Sequence, residues 1–232
     1  MTTAVIGVGS IGGTVARELA AGGEPVLLSA TNSGNVRKLA AEIGTPATAA
    51  LGNRDAIQRA DAVILALWLG PMKAVIDEVA DLLPGKLVID PSNPIAIAAD
   101  GTVSRTLPDD QSAGAVVARW LPQGTRYAKA FGSLPAPLLS SGTNRRPKPA
   151  VLFFATDDAR AATQVERLIR IAGFEPMAVD GGVQASGRIE VGGDLHAFGG
   201  LNGRLLDQEE AASLLRSSAG SARTSPANPE PL

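Results

Sequence analysis

Thr3-Ala4-Val5-Ile6-Gly7-Val8-Gly9-Ser10-Ile11-Gly12 decides how the rest of the chain is read. Residues 3–7 form a short apolar run of strand type. It enters a turn whose glycines, Gly7, Gly9 and Gly12, follow the G-x-G-x-x-G spacing. Beyond the turn Ile11, Val15 and Leu19 recur at helical spacing until Gly22-Gly23, a pair suited to a helix C-terminus. Each glycine answers a steric demand: Gly7 allows the tight turn, Gly9 lets the backbone approach a pyrophosphate, and Gly12 lets helix and sheet pack closely. The helix N-terminus then offers unpaired N–H groups and a positive dipole end. Glycines alone punctuate many turns that bind nothing. A strand before them and a helix after them make this a dinucleotide fingerprint, with Gly7, Gly9, Ser10, Ile11 and Gly12 around the pyrophosphate.

Outward from this unit the pattern repeats. Residues 25–29 read as a second strand, and Asn32 or Ser33 can cap a helix that Gly44 ends. Residues 46–50 give a weak third strand and 62–67 a strong fourth, continuously apolar as expected when both faces of a parallel sheet are covered. A helix over about 72–83, a strand at 87–90, a helix over 112–120 and a strand at 126–131 follow. The alternation predicts an α/β, doubly wound, mostly parallel sheet of the Rossmann type, with a small C-terminal extension. We expect a nucleotide-binding domain over 1–132 and a smaller portion over 133–216 that completes the substrate cleft. Within the latter, 133–149 reads as a loop, 150–155 as a strand, 158–172 as a helix and 174–179 as a strand. Asp207 with Glu210 makes a capping-box start for a last helix to about Arg216. Residues 217–232 have too little apolar content to order and are expected to be a disordered tail.

The 232 residues are 45% hydrophobic and 19% charged with a net charge of −2, which gives no pull toward nucleic acid or anionic membrane. No cysteine is present, so disulfides, thiolate metal sites and a cysteine nucleophile are excluded. The longest apolar run, 62–69, is far short of the roughly 20 residues of a membrane helix, and no basic segment precedes the first strand. A cytoplasmic protein is expected, with no bound metal.

The end of the second strand reads Leu28-Ser29-Ala30-Thr31-Asn32-Ser33, with no carboxylate. An acid there would hold the ribose hydroxyls of NAD and repel a 2′-phosphate. Ser29, Thr31, Asn32 and Ser33 instead offer hydroxyls and amides, so NADP(H) is expected. Arg37 and Lys38, one turn into the helix, either reach the phosphate or are solvated surface charges. Ligands of open parallel sheets bind beyond the C-terminal strand ends, which selects Leu67-Trp68-Leu69, then Ser92-Asn93-Pro94, then Lys129 to Ser133, with the acceptor expected against 131–135 and the Gly-rich segment near His196. Trp68 walls the nicotinamide or packs on the next helix; Asn93 orients a carboxamide or serves a turn. Lys129, inside an apolar strand, contacts ligand, snorkels, or pairs with a carboxylate. His196 is the one histidine, in Arg188-Ile189-Glu190-Val191-Gly192-Gly193-Asp194-Leu195-His196. It donates a proton as hydride arrives, holds a structural hydrogen bond, or ligates a metal with Asp194. Tyr127 has no Tyr-x-x-x-Lys partner, and neither a nucleophile elbow nor a Walker loop is present.

With the glycine turn, the Ser-rich end of the second strand and Asp90-Pro91-Ser92-Asn93-Pro94 in view, the chain resembles the NADP oxidoreductase, coenzyme F-420-dependent family. Lys129-Ala130-Phe131 is similar to that family's Lys-Ala-Phe-Asn stretch. Similar domains occur in pyrroline carboxylate reductases and in the cytosolic part of membrane metalloreductases. The resemblance implies hydride transfer between NADP(H) and a deazaflavin, and a homodimer. Three departures stand out: no arginine just past the second strand, Gly132 in place of the asparagine, and a glycine-rich stretch from Gly181-Gly182 to Gly199-Gly200. The leading expectation is an NADPH-dependent oxidoreductase acting on a deazaflavin or flavin-type acceptor. Its rivals are a reductase of a small carbonyl or imine with His196 or Lys129 as proton donor, and a non-catalytic NADP(H) sensor.

Overall fold

A computed structural model describes residues 1–221. The strand ahead of the glycine turn, β1 (Thr3–Ile6), lies inside a sheet of eight strands. It pairs in parallel with β2 (Val26–Ser29) on one side and β4 (Ala62–Leu65) on the other. β3 (Ala47–Ala49) closes the β2 edge, and β5 (Leu87–Asp90) continues from β4. The reversal of chain order between β1 and β4 opens the crevice in which such sheets bind ligands.

Alternate residues of each strand feed opposite cores. Val5, Leu28, Ile64 and Ile89 pack with Val15 and Leu19 of α1 (Ser10–Ala21) and Val36 of α2 (Ser33–Ile43). Ala4, Ile6, Val63, Leu65 and Val88 pack on the other face with Met72 and Ile76 of α4 (Leu69–Glu78). Ile57 of α3 (Asn53–Gln58), a helix the pattern did not predict, joins them. Both faces are covered, which is why the strands read as unbroken apolar runs.

Past β5 the chain departs from simple alternation. A two-stranded antiparallel hairpin, β6 (Ile95–Ile97) and β7 (Val103–Arg105), stands apart from the main sheet. After α5 (Ala113–Trp120) the chain returns to the sheet as β8 (Arg126–Ala130), parallel to β5. The stretch expected to be a loop holds α6 (Ala136–Gly142), with a proline in its first turn, where the missing N–H costs nothing. β9 (Val151–Ala155) then adds antiparallel to β8, and β10 (Glu175–Ala178) follows α7 (Ala159–Ile171), parallel to β9. Residues 133–178 thus extend the same sheet. From Gly181 the chain winds through a 3-10 stretch (Gly182–Ile189) and tight turns back over the ends of β5 and β8. Asp207 and Glu210 exchange the expected capping-box bonds at the start of α8 (Gln208–Ser221), which passes the expected end at Arg216. Residues 222–232, in the expected tail, lie outside the described residues.

Candidate functional site

Gly7 has φ +98°, and a Cβ on it would strike the Ala66 carbonyl. A Cβ on Gly12 would overlap the Gly7 carbonyl, so the turn and α1 meet at backbone contact. Gly9 is open, with nothing within 4 Å of where a Cβ would stand. No side chain caps α1, and no acid occupies its first turn. An exposed, uncapped helix N-terminus behind a backbone-only turn fits a pyrophosphate.

This turn forms one wall of a cavity of about 590 Å³. Gly9, Ser10, Ile11 and Gly12 face it from α1, Leu67 and Trp68 from the end of β4, and Ser92 and Asn93 from the end of β5. Leu134, from the 131–135 stretch expected at the acceptor, completes the far side with Val191, His196 and Phe198 of the segment around His196. Trp68 is 55% and Phe198 64% exposed at the mouth, so packing against the next helix does not account for Trp68. Pro94 is buried off the cavity, where its carbonyl accepts from Thr106 N and anchors the hairpin. It is not a lining residue.

Four of the residues expected to hold a 2′-phosphate lie together at a corner of the surface. Thr31, Asn32, Ser33 and Arg37 are exposed around the start of α2. Asn32 caps that helix through Asn35 N, and Arg37 Nη1 donates to Ser33 Oγ at 3.3 Å, which brings a guanidinium to the corner. Ser29 is a correction: it is buried, and its hydroxyl donates to Asn53 Oδ1 at 2.8 Å, away from that surface.

Most polar groups on the far wall bind one another. Asn93 Nδ2 donates to the Gly132 carbonyl at 3.0 Å, and its Oδ1 accepts from Val191 N at 2.7 Å. One bond at each end fixes the orientation of the amide against the backbone, leaving its second N–H and second lone pair. His196 is 2% exposed; Phe198 N donates to its Nδ1 at 2.8 Å, and its Nε2 lies 3.1 Å from the Gly132 carbonyl. An Nδ1 that accepts fixes the neutral Nε2–H tautomer. Burial pushes the ring down from its ordinary 6.5 to about 4, against the pull of the Gly132 carbonyl. A neutral ring with both nitrogens engaged is poorly placed as a general acid. Asp194 pairs with Arg188 at 2.7 Å, which removes the suggested metal ligand pair.

The Gly132 carbonyl thus serves both Asn93 and His196. Phe131 adopts φ +63° just before it, and a Cβ on Gly132 would come within 2.5 Å of the Pro91 carbonyl. That approach explains a glycine where the family carries asparagine.

Behind this wall Lys129 is 1% exposed, and of its three readings pairing is the one observed. Its Nζ donates to Asp90 Oδ2 at 2.9 Å and to the Ser92 carbonyl at 2.6 Å, and lies 3.6 Å from Glu190 Oε1. Glu190 in turn accepts from the N–H groups of Ala113 and Gly114, at the start of α5. Tyr127 donates to Asp90 Oδ2 at 2.9 Å. Burial first, then the Asp90 charge, hold its phenol well above the ordinary range. Asp90 and Glu190 went unnoticed as partners because they lie far from Lys129 in sequence.

Residues 2–94 match the family model described as NADP oxidoreductase coenzyme F420-dependent. No curated protein matches the chain. Among solved structures, a hypothetical protein from Sinorhizobium meliloti is 27% identical with a TM-score of 0.77, over 90% of this chain and 96% of that one. A candidate F420-dependent NADP reductase from an Arthrobacter species is 21% identical with a TM-score of 0.69, over 80% and 87%. An imine reductase from Myxococcus stipitatus, in complex with NADP+, shares the fold at 17% identity and TM-score 0.60, over 96% of this chain and 62% of that one. The glycine turn, its uncapped helix and the acid-free end of β2 all fall inside residues 2–94, the segment that is similar to the NADP oxidoreductase, coenzyme F420-dependent family.

Proposed function

We propose that the chain uses NADPH to reduce a flat ring of the deazaflavin or flavin type, held in the cavity between Trp68 and the wall of Leu134, Val191 and Phe198. Gly7, Gly9, Ser10, Ile11 and Gly12 hold the pyrophosphate, while Thr31, Asn32, Ser33 and Arg37 hold the 2′-phosphate. Bound there, NADPH supplies the hydride. The observation that carries the reading is the far wall itself: apolar and aromatic surfaces, with Asn93 and His196 locked onto the backbone. Such a wall suits an acceptor whose own ring carries the chemistry and needs mainly proximity and orientation. A carbonyl or imine reductase relying on His196 as its acid fits poorly. A homodimer belongs to the same reading, on the family resemblance alone.

The test is NADPH oxidation by pure protein, with NADH alongside, against FMN, FAD, a deazaflavin, and simple carbonyls and cyclic imines. Turnover with the ring compounds and a preference for NADPH is the expected result. Turnover confined to carbonyls or imines overturns the reading.

A further inference from the structure

Ser92, which the sequence places with Asn93 and Pro94 on the ligand side of the sheet but gives no chemical role, lines the cavity at the end of β5 and keeps 6% exposure. Its Oγ accepts from Lys129 Nζ at 3.3 Å. A hydroxyl also has a proton to give, and among the described residues no group takes that of Ser92. With an ammonium hydrogen already directed at Oγ, the hydroxyl hydrogen is left for whatever occupies the cavity. Lys129 itself has no access to solvent, and Asp90 and Glu190 hold it behind Ser92.

We propose that Ser92 hands the reduced acceptor its proton and that Lys129 resupplies Ser92. This rests on the reading of the cavity as the seat of hydride transfer. The transfer breaks the C–H bond of the dihydronicotinamide and forms a C–H bond on a deazaflavin or an N–H bond on a flavin, oxidises NADPH by two electrons, and leaves the reduced ring with a negative charge that one proton neutralises. That proton comes from Ser92: the O–H bond breaks, an N–H bond forms on the ring, and an Nζ–H proton crosses to Oγ. Lys129 recovers its proton through Ser92 from solvent entering the open cavity after product leaves.

The side chain can be removed without dismantling the turn, because Ser92 N donates to Asp90 Oδ1 and the Ser92 carbonyl accepts from Lys129 Nζ, both through the backbone of Ser92 and not its hydroxyl. Single-turnover NADPH oxidation is measured for wild type, Ser92→Ala and Ser92→Thr with FMN, a deazaflavin and a cyclic imine, at rising concentrations of a small buffer acid. In parallel, without NADP(H), binding of oxidised and dithionite-reduced FMN is titrated. The alanine variant is expected to lose about 100-fold in rate, to regain part of it as buffer acid replaces the missing donor, and to weaken for reduced FMN more than for oxidised. The threonine variant keeps the wild-type behaviour in all three. An alanine variant within twofold of wild type and indifferent to buffer acid overturns the proposal. If wild type fails to bind or reduce the ring compounds but turns over the imine, the ring reading falls alone, and the alanine–threonine comparison on the imine still decides the role of Ser92. Turnover of nothing overturns both.

Discussion

His196 lowers its own affinity for protons by being buried, and this has a consequence for stability. Its ring titrates at about 4 in the fold against an ordinary 6.5. Above 6.5 both folded and unfolded chains hold it neutral. As pH falls from 6.5 toward 4 the unfolded chain takes the proton first, and stability is lost, by up to about 3 kcal/mol. Urea unfolding at pH 7 and pH 4.5 should show this loss in wild type and much less of it in His196→Gln. A second residue-scale prediction concerns the acid-free end of β2. Thr31→Asp places a carboxylate beside the 2′-phosphate corner, and the ratio of kcat/KM for NADPH over NADH should fall at least ~10-fold. At this scale the sequence was legible where a residue acts through its backbone, as at Gly7 and Gly12. It was illegible where action depends on a distant partner. Asn93 and Ser29 were rightly placed near strand ends, but nothing in the sequence says that Val191 and Asn53 occupy them.

Among the elements, those with strong periodicity were all readable: the strands of the parallel core, α1, α5 and α7. The missed ones are short. β6 is Ile-Ala-Ile directly after Pro94, too brief for an alternation to declare itself, and α6 hides in a Pro- and Ser-rich stretch because a proline at a helix start resembles a breaker. The glycine-rich return of the chain was noticed as odd; its reason is packing. A Cβ on Gly199 would overlap the Gly193 carbonyl, so these turns close only without side chains. The same logic yields a test of α1. In Gly12→Ala the new methyl meets the Gly7 carbonyl and must push the helix from the turn. NADPH affinity, followed by titration, should drop ~10-fold or more while far-UV circular dichroism stays near that of wild type.

In the whole molecule the two ends of the sheet do different work. The C-terminal strand ends carry the cavity. The opposite end is tied by Glu24, buried just ahead of β2, which accepts from Thr3 Oγ1 at 2.8 Å and from Arg167 of α7 at 2.9 Å. Glu24→Ala leaves Thr3 without its acceptor and should cost about 1–3 kcal/mol in urea unfolding, with NADPH affinity unchanged because the cavity is at the other end. The doubly wound order was legible from alternation alone. The reversed direction of β9 was not, since a helical connection such as α6 ordinarily joins parallel strands.

The half-exposed indole of Trp68 at the mouth gives the protein an optical probe of its own. The chain has two tryptophans, and the other, Trp120, closes α5 with its side chain partly buried. An indole beside a dihydronicotinamide passes its excitation to it, so Trp68 emission should dim as the reduced nucleotide arrives and recover as it is oxidised. Occupancy and redox state of the cavity then become visible in one unlabelled fluorescence trace, with the Trp68→Phe variant as its dark control.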